Sequence, residues 1–407
     1  MPAHRSSPQP SSVLDASRSY MIKKIVQIAF RECGILIHNP IYGFCMVIFP
    51  ILVIIFFTSL MNEGQPVEMP VGVVDQDNTA TSRKLIRNLD AFQTTHVVAH
   101  YPNMNDAREA IQRNEIYAFL LIPKGMTSDL TSARQPKISF YYSSVSLMSG
   151  SMLYKDLKTI ATLGSAGVAS AKLSAMGKTN DEVRTFLQPI AIDLHMINNP
   201  LANYNVYLST TMIPGVLLIF MFLISAYSIG TELKFKESRK WLSMADNNIY
   251  VAMAGKMLPQ TIIFLTIFYG FEFYIYYVLG FPHPGGIVPI LLLGLLTVLA
   301  GQGFGIFAFG LIPSLRMSMS VCSLWAVLGF TASGATYPVF SMSPMIEAMA
   351  QLFPLRHYYM VYQLCIFNGF PLTDAWFNLL ALCIFIVLPV FTLRNIKRAM
   401  LTYVYIP

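Results

Sequence analysis

The chain has 407 residues, of which 54% are hydrophobic and only 12% are charged, and its mean hydropathy is +0.52. Soluble domains carry about 25% charged residues, so this composition excludes an ordinary soluble protein and predicts several membrane spans. The formal net charge of +7 lies outside residues 62–205, where 13 Lys/Arg balance 13 Asp/Glu. The excess is therefore a signal of membrane topology and indicates no nucleic-acid partner.

Residues 1–40 are predicted to form a cytoplasmic tail and an interfacial helix. Residues 1–18 are rich in Ser and Pro, which is typical of a disordered tail. Residues 19–38 place Lys23, Lys24, Arg31 and Glu32 among apolar residues at helical spacing, as expected for a helix on the membrane surface. The same segment is also the cytoplasmic flank of the first span, and the two interpretations are compatible.

Six apolar stretches reach the length of about 20 residues that a membrane helix requires. They are Ile41–Met61, Val206–Ile229, Met257–Gly280, Ile287–Ile312, Met317–Ser333 and Trp376–Leu393. Basic residues precede span 1, separate spans 2 and 3 and spans 4 and 5, and follow span 6. This alternation predicts a multi-pass protein with both termini in the cytoplasm. Residues 41–61 are then transmembrane helix 1, residues 206–393 hold helices 2–6 with a cytoplasmic loop at 231–256, and residues 394–407 form a second cytoplasmic tail.

Residues 62–205 are too long and too polar for a loop and predict an extracytoplasmic α/β domain. Candidate strands at 69–75, 95–101, 116–122 and 137–142 alternate with helices at 79–89 and 104–113. A long helix over 145–176 carries a heptad seam of Leu153, Leu157, Ile160, Gly164, Gly167, Ala171 and Ser174. The seam packs on its own domain, on a second subunit or on a partner's coiled coil. Residues 188–198 predict a return strand.

The predicted fold class is therefore a mostly α membrane protein, with six transmembrane helices and the α/β domain inserted between helices 1 and 2. Residues 334–371, between spans 5 and 6, are rich in aromatic residues and proline and almost uncharged. Their polar backbone cannot lie bare in lipid, so they predict external re-entrant or interfacial helices packed against protein or lipid headgroups.

The sequence lacks a phosphate-binding loop, a catalytic Ser/His/Asp or Cys/His arrangement and a metal-ligand spacing. It therefore predicts no catalytic, cofactor or metal site, and no enzyme. Glu272 lies within span 3, where an unpaired carboxylate is costly. With Gln302 of span 4 as a candidate hydrogen-bond partner, it suggests part of a translocation path, and a structural or interfacial role is the alternative.

A dense charge pattern occupies the stretch Thr231–Pro259. Its members are Lys234, Lys236, Arg239, Lys240 and Lys256, set against Glu232, Glu237 and Asp246. Such a pattern is typical either of a solvated loop that fixes topology or of a docking surface for a cytosolic partner.

Five motifs in chain order resemble a known family. They are Arg31–Glu32 with His38–Asn39–Pro40, VGVVDQDNTATSRKL at 71–85, YAFLLIPKGM at 117–126, the Glu232…Trp241–Leu242…Gly255–Lys256…Pro259 pattern, and SGATYPVFSMSP with FPLRHYY at 333–359. Together they resemble the ABC-2 type export permeases, the membrane subunits of ATP-binding-cassette exporters, in the drug-exporter-like subgroup with a large external domain. The sequence departs from the pattern where His38 replaces an arginine and where Lys236–Glu237 replaces a Gly-Thr dipeptide.

The resemblance implies a bacterial inner-membrane half-transporter for an amphipathic or lipid-like substrate. Its implied partners are cytosolic ATPase subunits that bind the ATP, a second permease copy or paralogue, membrane lipids and a periplasmic adaptor protein. The implied ATPase docking and coupling residues are Glu232, Glu237, Trp241, Leu242 and Lys256, with Trp241 and Leu242 expected to anchor in a groove of the ATPase. The alternatives are a proton-coupled secondary transporter and a membrane sensor whose external domain binds a ligand.

Overall fold

The structure, a computed structural model, describes residues 10–132, 134–145, 147–189, 195, 199 and 202–403. The chain divides into two compact units. The membrane unit comprises the chain up to Asn62 and again from position 197 onwards, and the sheet unit is residues 63–196.

The described part of the chain begins with two consecutive helices, α1 (Pro10–His38) and α2 (Pro40–Leu60). They are separated at Asn39, whose side chain accepts a hydrogen bond from the backbone N–H of Ile41. Asn39 is thus an N-cap, and Pro40 follows at the first helical position, where its missing N–H leaves no gap in the hydrogen bonding.

The sheet unit contains four strands, β1 (Met69–Asp75), β2 (Thr95–His100), β3 (Ala118–Ile122) and β4 (Ser139–Tyr142). Their order is β2-β1-β3-β4, with β1 parallel to β2 and β3 and with β4 antiparallel to β3. The helices are α3 (Ala80–Asp90), α4 (Met104–Gln112), α5 (Met126–Thr131), α6 (Leu147–Ala175) and α7 (Asn180–Leu187). The predicted strands lie within two residues of the observed ones. Helices α5 and α7 were not predicted, and most of the return strand predicted over 188–198 lies outside the described residues.

Both faces of this sheet are covered, which explains why its parallel strands have nearly continuous apolar sequences. One face packs Val71, Val73 and Leu120 against residues of α3 and α6, and the other packs Val74 and Phe119 against α4. The first three seam residues of α6 belong to the former core: Leu153, Leu157 and Ile160. The seam residues that follow, Gly164, Gly167, Ala171 and Ser174, are exposed. The seam therefore packs on its own unit in its first half.

Asp77, in the turn after β1, joins that turn to the start of α5. Its Oδ1 accepts a hydrogen bond from the Gly125 N–H (2.9 Å), and its Oδ2 accepts from the Oγ1 atoms of Thr127 (2.6 Å) and Thr79 (2.8 Å). Hydrogen bonds from Thr127 first, and then from Thr79 and Gly125, hold the pKa of Asp77 below its usual value. The motifs at 71–85 and 117–126 thus meet at this carboxylate.

We expect Asp77→Asn to loosen this junction by about 1–2 kcal/mol, because the amide loses a charged acceptor and turns a donor toward other donors. The pKa of Asp77 is lower in the folded state than in the unfolded chain. The stability that its carboxylate contributes is therefore fully present above the ordinary Asp pKa of about 4, and it is lost as the pH falls through the pKa of the folded state. The measurement is the amide hydrogen-exchange rate of peptides from residues 69–90 and 123–131 in the full chain. At pH 7 these amides should exchange faster in the variant than in the wild type. Acidification should reduce their protection in the wild type but not in the variant. Glu115→Gln, at an exposed site, should exchange like the wild type.

The membrane unit continues with α8 (Tyr204–Lys234), α9 (Ser238–Met244), α10 (Ile249–Val278), α11 (Ile287–Leu311) and α12 (Leu315–Ala332). The short helices α13 (Pro344–Ala350) and α14 (Pro354–Val361) precede the final helix, α15 (Leu372–Thr402). Six of the described helices are long and apolar enough to cross a membrane: α2, α8, α10, α11, α12 and α15. The predictions of a mostly helical chain and of six such helices are confirmed, and the structure adds that the four strands form a small mixed sheet.

Helix α11 is largely buried at the centre of the membrane unit and packs against α8, α10, α12 and α15. A Cβ at Gly305 would lie 2.5 Å from the Phe222 carbonyl oxygen of α8, and one at Gly301 would lie 3.0 Å from Met221 Cβ. Glycine permits this close helix contact, so Gly301 and Gly305 are packing positions between membrane helices.

The two ends of the membrane unit differ in their charge and in the segments they carry. We call the end that carries α9, the first turns of α10 and the end of α15 the basic end. The opposite end, which we call the far end, carries the segment 333–371 between α12 and α15. This segment is not a bare loop, because His357, Tyr358 and Tyr359 in α14 are buried within the membrane unit. It packs against protein, as one of the predicted arrangements required.

Candidate functional site

At the basic end, α1 lies directly against the beginning of α10. The contact centres on Gly255, where a Cβ would lie 2.7 Å from Ile28 Cβ and 2.9 Å from the Ile25 carbonyl oxygen. Because only a hydrogen fits between the two backbones, Gly255 fixes how closely α1 approaches α10. The residue that follows Gly255 in the sequence is Lys256, and its side chain enters the same contact.

Four charged side chains from α1, α8 and α10 meet in a buried cluster, which we call the charge cluster: Arg31, Glu32, Glu232 and Lys256. Lys256 Nζ donates to Glu32 Oε2 (2.8 Å) and to Glu232 Oε1 (2.7 Å). Arg31 donates to Glu32 Oε1 (2.8 Å) and, through Nη1 and Nη2, to both oxygens of Glu232 (2.8 and 3.0 Å). Each carboxylate therefore bridges both cations, and the cluster as a whole is neutral.

Three of the four side chains of the charge cluster are almost completely shielded from solvent, and the Arg31 side chain is 17% exposed. Lys256 and Glu32 are each 1% exposed and Glu232 is 4% exposed. Burial opposes the charge on Arg31, but hydrogen bonds and attraction from Glu232, Glu32 and Glu237 outweigh it and raise the pKa of Arg31. Because the charges are desolvated and mutually satisfied, losing one of them would leave an unpaired charge behind. The cluster therefore binds three helices firmly in one arrangement.

Helix α9 is buried on the side that carries Trp241 and Leu242, both of which are 0% exposed. Lys256 Nζ lies 5.2 Å from the centroid of the Trp241 ring, so the indole forms one wall of the charge cluster. The structure does not present Trp241 and Leu242 on a surface, and their role as anchors in a groove of another protein stays a prediction. Both side chains already fill the chain's own core, and helical periodicity turns the polar side of α9 outward instead.

Two further contacts hold the α9 region in place. Ser238 Oγ donates to the Met400 carbonyl oxygen (2.9 Å), which ties α9 to the end of α15. After α9, Asp246 accepts hydrogen bonds from Tyr20 Oη (3.0 Å) and Lys24 Nζ (3.2 Å) of α1, and these bonds lower the pKa of Asp246. The Asp246 contact is exposed and contributes little energy, but it aligns α1 with the turn before α10.

The solvent-facing side of this region is basic and carries one large aromatic side chain. We call it the basic face, and its members are Lys234, Phe235, Lys236, Arg239 and Lys240, all exposed. Phe235 is 61% exposed, and Lys234 Nζ lies 5.6 Å from its ring centroid. Glu237 borders this face, with Oε2 3.0 Å from Lys240 Nζ and 4.0 Å from Arg31 Nη2. Glu237 thus lies between the basic face and the charge cluster.

Lys236 adopts the left-handed backbone conformation, with φ of +60°. A non-glycine residue in this conformation is disfavoured by about 1–2 kcal/mol, whereas glycine adopts it freely. The position is the one where the resembling family has a Gly-Thr dipeptide. The turn between α8 and α9 therefore has the backbone geometry that such a glycine would supply, although the glycine itself is missing.

Glu272 and Gln302 are both 3% exposed and lie inside the helix packing of the membrane unit. They do not bond to each other. Gln302 Oε1 accepts a hydrogen bond from Thr261 Oγ1 (2.7 Å), whereas Glu272 Oε2 is directed toward Gly294 and has no hydrogen-bond partner within the described part of the chain. The prediction that Gln302 is the partner of Glu272 is therefore wrong, because Glu272 of α10 faces the turn of α11 around Gly294, whereas Gln302 lies further along α11 and faces Thr261 of α10.

Comparison with known proteins identifies the family. The family profile described as ABC-2 family transporter protein matches residues 41–393. This chain belongs to that family. A linearmycin resistance permease protein of Bacillus subtilis (strain 168) is 19% identical over 372 residues, which cover 87% of this chain and 94% of that protein. Nodulation protein J of Neorhizobium galegae is 33% identical over 107 residues, or 26% of this chain and 40% of that protein.

Membership in the ABC-2 family makes this chain a membrane subunit of a transporter and implies ATPase partner subunits. The resemblance read from the motifs is thereby confirmed, and the chain is a multi-pass membrane protein. Of the predicted docking and coupling residues, the structure brings Glu232 and Lys256 together, places Glu237 beside them and buries Trp241 and Leu242 behind them. Their roles in coupling stay predictions.

Arg31 and Glu32 are functional residues that lie outside the predicted site. They belong to the first motif and to the predicted interfacial helix, but their partners lie about 200 positions further along the chain. The signal for these residues in the sequence is an adjacent pair of opposite charges, Arg31–Glu32, in a largely apolar helix. It indicates a buried contact, but it does not identify the partner.

Proposed function

We propose that this chain is the permease subunit of an ABC-2 exporter in a bacterial inner membrane. With a second permease, a copy or a paralogue, it forms the route for an amphipathic or lipid-like substrate, and separate ATPase subunits drive transport. The observation that supports this proposal most is the charge cluster, which joins α1, α8 and α10 at the end where the positive-inside rule places the cytoplasm.

The charge cluster suggests how ATP-driven movement would enter the membrane. In this proposal the ATPase contacts the basic face and the outer side of α1, both of which are attached to the cluster. Because breaking a buried ion pair costs several kcal/mol, the three helices would move as one body instead of sliding past one another. Helices α8 and α10 would then carry the movement into the spans.

The remaining parts of the proposal concern partners and direction. Helices α2, α12 and α15 are the least buried of the six membrane-length helices and offer apolar surface to lipid and to a second permease. The sheet unit would lie outside the cytoplasm, where an adaptor protein could reach it. One relative is named a resistance permease, which supports an outward direction of transport.

The function is tested by reconstituting the chain with its ATPase subunits in proteoliposomes that contain a fluorescent phospholipid. We expect the labelled lipid to move across the bilayer when ATP is supplied, and to stay in place without ATP or without the ATPase. Movement driven by a proton gradient in vesicles that lack the ATPase would contradict the proposal.

The burial of Glu272 without a bonding partner for Oε2 gives some support to a second candidate, proton-coupled secondary transport. The Glu272→Gln variant separates the two in the same vesicles. A neutral amide leaves ATP-driven movement intact in the exporter, but it abolishes movement driven by a proton gradient. A membrane sensor, the third alternative, does not explain family membership in a transporter class.

A further inference from the structure

A cavity of about 300 Å³ opens at the far end of the membrane unit, away from the charge cluster. It lies between the first turns of α8, the segment after α12 and helix α14. Its lining includes Tyr207, Gly334, Val339, Arg356, Tyr359 and Gln363. The lining includes one cationic side chain and no carboxylate.

Arg356 is the unusual member of this lining, because it is only 5% exposed and has no acidic partner within ion-pair distance in the described part of the chain. Its Nη1 donates one long hydrogen bond to the Ser333 carbonyl oxygen (3.4 Å), and its Nε has no acceptor. Burial lowers the pKa of Arg356, and Glu347 opposes that shift, but arginine keeps its charge in proteins. A buried guanidinium with an unused donor therefore lines the cavity.

The rest of the lining adds a second donor and an apolar wall. Tyr359 Oη accepts a hydrogen bond from Gln363 Nε2 (2.6 Å), which leaves its own hydroxyl hydrogen free to donate. Val339, Met360 and Phe340 supply apolar surface, and Phe340 is 86% exposed at the edge of the cavity. A guanidinium and a phenol beside an exposed aromatic side chain suit a ligand with an oxyanion at one end and a hydrocarbon chain at the other.

We propose that this cavity binds the oxyanion headgroup of an amphiphile, a phosphate or a carboxylate. Arg356 donates charge-assisted hydrogen bonds to it, Tyr359 donates another, and the tail leaves along Phe340 toward the lipid. The oxyanion of the headgroup neutralises the buried positive charge of Arg356, which has no acidic partner of its own, since a desolvated charge is stable when it is paired. Binding itself is independent of export, and only the use of the site during transport rests on the proposed function.

The test measures binding to the purified chain in a neutral maltoside detergent, without the ATPase, by isothermal titration. Dodecyl phosphate should bind, and dodecyltrimethylammonium should not. Arg356→Gln should weaken the binding of dodecyl phosphate by roughly 10- to 100-fold, as expected for the loss of a charge-assisted hydrogen bond. Arg316→Gln removes the same charge from an exposed position at the basic end and should leave the affinity unchanged.

Three results would overturn the proposal: equal binding by the Arg356→Gln variant, equal binding of the cationic amphiphile, or inorganic phosphate binding as tightly as dodecyl phosphate. The last result would identify a site for a free anion and remove the apolar tail from the proposal. If Arg356→Gln does not fold, Tyr359→Phe serves instead, and it should weaken the binding of dodecyl phosphate several-fold. Because no ATP is present, failure here leaves the proposed export function untouched, and failure of ATP-driven movement leaves this site untouched.

Discussion

Replacing Lys256 with methionine should destabilise the membrane unit by about 3–5 kcal/mol, the usual cost of removing one partner from a buried ion pair. Methionine is nearly the same length as lysine, so the packing against Trp241 is retained while the charge is lost. The charge cluster then holds Arg31 against both Glu32 and Glu232, which leaves one buried negative charge unpaired. In thermal unfolding of the detergent-solubilised chain, the apparent Tm should fall by about 5–10 °C.

A double variant distinguishes charge imbalance from lost packing. Adding Glu32→Gln to Lys256→Met removes one charge of each sign and restores neutrality, so a large part of the lost Tm should return. The matched control is Lys240→Met, because Lys240 is a lysine of the same segment whose side chain is 70% exposed. Its Tm should stay near the wild-type value, since exposed ion pairs contribute about 0–1 kcal/mol. If the double variant were no more stable than Lys256→Met, the neutrality of the cluster would not be what stabilises it.

The same double variant tests coupling apart from folding. If the cluster transmits movement, the stable double variant should still hydrolyse ATP in complex with the ATPase but move less lipid per ATP consumed. A wild-type ratio of lipid moved to ATP consumed would assign the cluster a purely structural role.

The sequence predicts the fold well where a local pattern has a single physical explanation. Continuous apolar runs of the right length become membrane helices, because nothing else satisfies the backbone in lipid. Strand β1 matches its predicted range at both ends, and the Asp77 N–H donates to Asp75 Oδ1 in the turn that follows it. Helix α8 continues to Lys234, five residues beyond its predicted end at Ile229, since helical hydrogen bonding persists after the apolar composition stops.

The site was harder to predict because its partners are distant in sequence. Glu232 and Lys256 were selected from one charged stretch, but the residues that neutralise them come from α1. For Trp241 and Leu242 the sequence leaves two possibilities, because apolar residues in a basic loop suit either a binding groove of a partner or the chain's own core. Burial decides between these, and burial follows from how α1, α10 and α15 surround α9. The same limit applies to Arg356, whose importance appears only once the cavity beside it is known.

Phe235 replaces Trp241 as the residue whose loss should most reduce ATPase binding. It is the large aromatic side chain of the basic face, and it is exposed, whereas Trp241 is buried. Central aromatic anchors at interfaces typically contribute 2 kcal/mol or more, so Phe235→Ala should weaken the affinity for the purified ATPase subunit by roughly 30-fold. Biolayer interferometry on the immobilised chain measures this Kd, and the Tm of the variant should equal that of the wild type.

The matched comparison is Trp241→Phe, which changes the aromatic side chain on the opposite side of the same short segment. It should lower the Tm, because it opens space beside Lys256, while the affinity of the molecules that remain folded stays close to that of the wild type. The basic charges around Phe235 should raise the rate constant for association with the ATPase, and salt should weaken this effect. The double variant Arg239→Gln/Lys240→Gln should therefore associate more slowly than the wild type. The opposite result is an unchanged Kd for Phe235→Ala together with a large loss of affinity for folded Trp241→Phe. It would mean that α9 rotates when the ATPase binds, and that Trp241 is the anchor in the bound state.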